Sequence, residues 1–285
     1  MGQSLLLWVG CIPALILLAA VSLERWRRKR KGERSPLPDK LRRPPGYSLQ
    51  CKLEDLNDAF MTWFMAACLF SLLVVIFPQT RPADVWAPFI SPVIFGLIAG
   101  ACTVMALRKL NQIHNYRRGL LGEQAVAEQL QSLTAAGYRV FHDIQKDGNG
   151  NIDHAVLGPA GVFAIETKYR TKQPGKAGEQ YHKAEFDGSK IQFPSGYDVK
   201  APEQARQNAR WLANMLSKAA GMQVTVQPIV ALPGWYVTLR ANSDVKVLSG
   251  KQIPGFISGE PTQLSDQAIQ QISYQLEQRC RDMEF

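Results

Sequence analysis

The chain has 285 residues, a formal net charge of +9 and 46% apolar residues, which allows one or two domains with a sizeable core. Its five cysteines include no C-x-x-C pair, which argues against a zinc ribbon, a redox motif or a disulfide framework and suits a reducing compartment. The basic excess suits contact with a polyanion, but much of it is packed between Arg25 and Arg43, a location that speaks first for membrane topology.

The first predicted element is Ser4–Leu23, an uncharged run long enough to cross a bilayer. Its charges follow the apolar run, whereas an export signal carries them ahead of it; a retained anchor is therefore expected, with a cleaved signal as the alternative. Residues 25–57 read as a basic, proline-containing linker, irregular or lying along headgroups. Ala59–Phe77 and Pro88–Leu107 read as a second and a third span. The three spans contain no ionisable side chain, which argues against a proton relay or transporter. The positive-inside rule puts residues 25–52 and everything after Arg118 in the cytoplasm. The expected organisation is a first transmembrane helix (1–24), the linker (25–57), a transmembrane hairpin (58–110) and a cytoplasmic domain (111–285).

In that domain Leu120–Leu133 has helical periodicity, with Val126, Leu130 and Leu133 as its apolar stripe. Glu123 falls on the same stripe, where a carboxylate is costly unless paired or metal-bound. Tyr138–Phe141 reads as a short strand and Asp143–Asn149 as a polar loop. Then come two apolar strands around Gly158-Pro-Ala-Gly161. If those four residues form the loop, Leu157 faces Val162, and counting back puts Asp153 opposite Glu166. Lys168 shares that face. Two adjacent carboxylates need a cation or a proton between them, although a solvated face of cross-strand ion pairs would have the same spacing. The second strand is apolar on both faces, as a central strand is. Pro202 suits the first turn of a helix that sets Gln204, Asn208, Trp211, Leu212 and Met215 on one side. Val224–Ala231 and Val245–Leu248 read as strands, and Ser265–Cys280 as a closing helix. Lys168-Tyr-Arg-Thr-Lys172 with Lys176, Lys183 and Lys190 reads as a phosphate-tracking rim or a solvated loop. His154 is expected to pack behind Asp153, and His114, His142 and His182 to lie on the surface.

Four motifs in this order, Gly119-Leu-Leu-Gly-Glu123, Asn151-Ile-Asp-His154, Ile165-Glu-Thr-Lys168 and Gln204-x-x-x-Asn208, resemble the nuclease-related domain (NERD), a branch of the PD-(D/E)xK restriction-endonuclease-like superfamily, over about residues 117–235. The resemblance implies an α/β fold, a mixed sheet flanked by helices, and a divalent-metal site. Its functional positions fall on Glu123, Asp153, Glu166, Lys168 and Gln204. Asp153, Glu166 and the Thr167 carbonyl would hold Mg²⁺ or Mn²⁺, to which hard oxygen donors are suited. The expected function is phosphodiester hydrolysis in nucleic acid, DNA before RNA, at the cytoplasmic face of a bacterial inner membrane, in phage defence or DNA transfer. A silent nucleic-acid-binding module and a membrane interaction protein are the rivals. A homo-oligomer or a protein partner stays open.

Overall fold

The computed structural model describes residues 41–80, 86–148, 150–172 and 182–283, together with Ala20, Leu23, Glu24, Trp26 and Arg27. The expected first span, apart from Ala20 and Leu23, lies outside the described residues, as does Lys176. The chain forms two compact units, one containing Glu54–His114 and the other Asp39–Leu53 with Asn115–Glu284.

Two long helices are formed, α1 (Tyr47–Thr80) and α2 (Ala87–Ala135), and their stretches between Glu54 and His114 belong to the first unit. Both are long and apolar enough to cross a membrane. They contain the second and third expected spans. Phe89, Val93 and Leu97 are exposed, and Phe95 packs on Phe70 and Phe77. Helix α1 starts earlier than expected: the stretch up to residue 57 is not an irregular linker throughout. Leu41–Arg42 is a short strand, β1, and the helix begins at Tyr47. Pro44 and Gly46 turn the chain just before it, and the Tyr47 amide donates to the Pro44 carbonyl.

The second unit is mixed α/β. Strands β2 (Arg139–Gln145), β3 (Asn151–Gly158) and β4 (Gly161–Thr167) form an antiparallel meander. Beyond them β5 (Lys183–Phe186), β6 (Ile191–Phe193) and β7 (Gly196–Asp198) precede helix α3 (Lys200–Ala220). Strands β8 (Val226–Ala231), β9 (Tyr236–Leu239) and β10 (Lys246–Leu248) follow, then helices α4 (Ile253–Gly259) and α5 (Asp266–Cys280) and strand β11 (Arg281–Met283). The larger sheet has the order β10-β8-β4-β3-β2, so β4 is its middle strand, as its two apolar faces predict. One face packs on Leu212 and Leu216 of α3 and Ile272 and Leu276 of α5. The other packs on Val126, Leu130 and Leu133 of α2 and Ile253 and Ile257 of α4. Strands β1 and β11 pair with each other.

A second, four-stranded sheet of order β7-β6-β5-β9 was not foreseen. Its strands are three or four residues long, too short for periodicity to reveal. Strand β2 also runs to Gln145, into the first part of the stretch expected to be a polar loop. Asp143 interrupts it with a left-handed backbone (φ 52°), a conformation that Asp tolerates better than most residues.

Candidate active site

The hairpin register places the site. Leu157 faces Val162 and His154 faces Ile165, as counted from the turn. The connection is shorter than expected, because Gly158 and Gly161 pair with each other. That pair is the next rung of the same ladder, so the register does not change. Asp153 and Glu166 are the next residues along the two strands, one step past the last paired rung. The Asp153 Oδ2 accepts from the Thr167 amide at 2.7 Å, which ties the two strand ends together. Parallel pairing with β8 holds the far side of β4 out to Thr167↔Ala231.

Helix α2 contributes the third carboxylate. It approaches the exit of β4 closely because residue 122 is glycine: a Cβ there would lie 2.9 Å from the Cβ of Tyr169. One residue on, Glu123 is buried, and its Oε2 has no hydrogen-bond partner among the described residues. Asp153 and Glu166 are buried as well. Burial, then the charge of Asp153, pushes Glu123 up to about 9. Burial pushes Asp153 up to about 7, against the opposing pull of the Thr167 amide. Burial, then Asp153, holds Glu166 well above its ordinary range. Each carboxylate therefore resists ionisation, and the charges act on one another across the cluster.

Two cations and an amide face this cluster. Lys146 and Lys168 both favour the ionised forms of Asp153 and Glu166. Lys168 is partly exposed, and its Nζ lies 3.6 Å from Asp198. Asn208 is almost fully buried on α3; its Nδ2 donates to Glu166 Oε2 at 2.9 Å, and its Oδ1 accepts from Lys146 Nζ at 2.8 Å. Gln204 lies one turn earlier on α3 and is exposed, so of the two polar residues on that face it is Asn208 that reaches the carboxylates. The helical stripe already marked Asn208. Lys146 was missed, because a lysine just past a strand end has no local signature.

Asp143 was also missed. It is fully buried and accepts from the Arg43 guanidinium at 3.1 Å, the Ser48 amide at 3.1 Å and the Ser48 hydroxyl at 2.8 Å. The Asn151 side-chain amide donates to it as well. Its charge adds to the upward push on Glu123 and Asp153. His142, expected on the surface, is instead half-buried opposite His154, with the two Nδ1 atoms 2.9 Å apart. Burial lowers His142 to about 4 and His154 well below its usual range. His154 does pack behind Asp153, and its Nε2 is buried without a partner among the described residues.

Among the described residues no three of His, Cys, Asp and Glu are gathered tightly enough to enclose an ion. The donor chemistry nevertheless fits a divalent cation: three buried carboxylates with raised pKa values, one of them with a bare oxygen, are hard ligands that bound positive charge would relieve.

The family model of the nuclease-related domain matches residues 118–233. Neither a search of curated proteins nor one of solved structures returns a match to the chain. The matched segment begins just before Glu123 and ends beyond β8, so it contains every carboxylate, lysine and amide of the site described above. Over residues 118–233, less than half of its length, the chain is thus similar to the nuclease-related (NERD) domain.

Proposed function

We propose that the chain is a membrane-anchored nuclease that hydrolyses phosphodiester bonds in DNA, with RNA as the lesser substrate, and depends on Mg²⁺ or Mn²⁺. The observation that carries this reading is the buried cluster of Glu123, Asp153 and Glu166, with Glu123 Oε2 unpartnered among the described residues and two lysines at its edge. Asp153, Glu166 and the Thr167 carbonyl would hold the cation, and Glu123 would support it or a water. When bound, the cation would supply a polarised phosphoryl oxygen and a more acidic water. The chain's own residues do the rest. Asn208 holds Glu166 in place through its amide and is itself held by Lys146. The Thr167 amide orients Asp153. Lys168, released from Asp198, would stabilise charge developing on the phosphate. Gln204, exposed one turn from Asn208, would touch the phosphate backbone.

The test is cleavage of labelled linear, nicked and single-stranded DNA by the full chain in detergent, with and without Mn²⁺. Asp153→Ala and Lys168→Ala should each reduce metal-dependent cleavage by at least a hundredfold; full activity in both would refute the assignment. The ion pair between Lys168 and Asp198 favours a second reading, a module that binds nucleic acid without cutting it. In that case DNA binding survives in both variants and no cleavage occurs in the parent.

The anchor reading rests on the exposed apolar surfaces of α1 and α2 and on the basic residues that flank the apolar runs. Three spans, an outside N-terminus and a domain on the cytoplasmic face of a bacterial inner membrane are the topology we propose, with defence against phage or transfer of DNA as the setting.

A further inference from the structure

The four-stranded sheet has one buried face and one bare one. Ala184, Phe186, Ile191 and Phe193 close the buried face against Trp235, Val237 and Val247. The alternate residues point outward. Across the strands Tyr197 faces Gln192, Gln192 faces Glu185, and Glu185 faces Thr238. Lys183 faces Tyr236. Tyr197 and Tyr236 are 64% and 59% exposed, values far above those of the core aromatics behind them. Each ring has a lysine beside it, Lys190 Nζ at 5.7 Å from the Tyr197 ring and Lys183 Nζ at 5.9 Å from the Tyr236 ring.

The charge of this face is unbalanced. Glu185 is neutralised by Arg240, at 2.7 Å. The Asp187 carboxylate is taken up by the amides of Ser189 and Lys190 and by the Ser189 hydroxyl. Asp187 stays ionised, but Lys183 and Lys190 make no ion pair among the described residues, and together with Arg240 they outnumber Glu185 and Asp187 on this face, which leaves it slightly positive. The two tyrosines are separated by three inter-strand steps, roughly 14 Å across the sheet, room for two separate bases. Flat rings on a rigid sheet with flanking cations suit unpaired bases and their phosphates; a duplex hides its base faces.

The face also connects to the candidate active site. Asp198, next to Tyr197, pairs with Lys168 at 3.6 Å and accepts from the Lys200 and Ala201 amides at the start of α3. The chain leaving Lys168 passes beneath the same sheet, where the Arg170 guanidinium covers the Phe193 ring at 4.4 Å and the Trp235 Nε1–H donates to the Arg170 carbonyl.

We infer that the outer face of the β7-β6-β5-β9 sheet is a stacking platform for single-stranded nucleic acid, with Tyr197 and Tyr236 as base-stacking residues and Lys183 and Lys190 as phosphate contacts. The inference rests on the nuclease reading for its substrate class. It is tested by anisotropy of a fluorescein-labelled thymidine oligonucleotide on the full chain in detergent. Tyr197→Ala and Tyr236→Ala should each weaken binding about tenfold, the loss expected when one stacked base is removed. Tyr197→Phe and Tyr236→Phe should keep it, and Lys183→Gln and Lys190→Gln should each lower the salt slope by about one. Hydrolysis of bis(4-nitrophenyl) phosphate, too small to need the platform, should be unchanged in the tyrosine variants. Unchanged oligonucleotide binding in the double alanine variant overturns the platform, as does a parent chain that binds no single strand. Loss of binding to anionic lipid vesicles instead would assign the face to a membrane and overturn it too. Failure of the parent to hydrolyse the small diester counts against the nuclease reading alone, because the binding comparison does not depend on it.

Discussion

Glu123 is the residue in which burial and chemistry conflict most directly. With a folded pKa near 9 against an ordinary 4.5, it holds a proton in the folded chain that the unfolded chain releases. Its contribution to stability is complete below pH 4.5 and is lost as the pH rises towards 9. Asp153, pushed to about 7, acts with the same sign over a narrower window. The histidine pair acts oppositely: His142, lowered to about 4, costs stability as the pH falls from 6.5. Above pH 6.5 only the carboxylate effect remains. The unfolding free energy of the metal-free chain should therefore fall between pH 6.5 and 8.5, by about 1.4 kcal/mol per pH unit for each retained proton, and its melting temperature should fall with it. Glu123→Gln should flatten that slope, and Mn²⁺ should oppose it by favouring the ionised forms; melting curves in chelator and in Mn²⁺ measure both. Arg43 is the complementary case. It is a buried partner of the fully buried Asp143, and Arg43→Ala leaves that carboxylate with only the Ser48 and Asn151 donors. A loss of about 3 kcal/mol or more is expected in denaturant titration, whereas breaking an exposed pair such as Arg240–Glu185 should matter far less, because solvent screens it.

At the level of elements, the site depends on how closely helix α2 approaches the end of β4. Gly122→Ala improves helix propensity by roughly 0.5–1 kcal/mol but drives a methyl group against the Tyr169 Cβ. Overpacking should win, with a net loss of about 1–2 kcal/mol and a lower metal response, since Glu123 is the next residue. A variant as stable as the parent would show that the helix can shift away without cost. The hairpin illustrates what local sequence can specify. Its register follows from turn residues and a period of two, so it survives a shortened loop. The polar helix face that flagged Gln204 and Asn208 together could not separate them. A turn of helix puts one at the carboxylates and the other in solvent, a difference that depends on where α3 meets the sheet. Asp143 and Lys146 sat in a stretch that reads as a loop because polar residues there mask a strand end.

For the whole molecule, the compact unit with the sheets includes Asp39–Leu53 as well as Asn115–Glu284. A fragment of residues 111–285 lacks Arg43 and Ser48, the partners of Asp143. It should melt below the full chain and regain stability when Asp143→Asn removes the stranded charge; equal melting of the fragment and the full chain would show that the N-terminal stretch is dispensable. The topology is tested by a reporter fused after Phe285. A cytoplasmic reporter should be active there, and activity confined to a periplasmic reporter would reverse the orientation.

By itself the sequence determined the features that arise within a few residues or a few helical turns: the apolar helices α1 and α2, the hairpin register, β4 as a central strand, Glu123 on a buried stripe, and the motif order that marks the nuclease-related domain. Short-range periodicity and turn chemistry suffice for these. Only the tertiary structure decided that Asn208 rather than Gln204 touches Glu166, that Lys146 joins them, that Arg43 neutralises Asp143 from a hundred residues away, and that four strands too short to be read build a second sheet. Those pairings join residues distant in the chain, and their energies come from burial and charge, which exist only once the layers have packed.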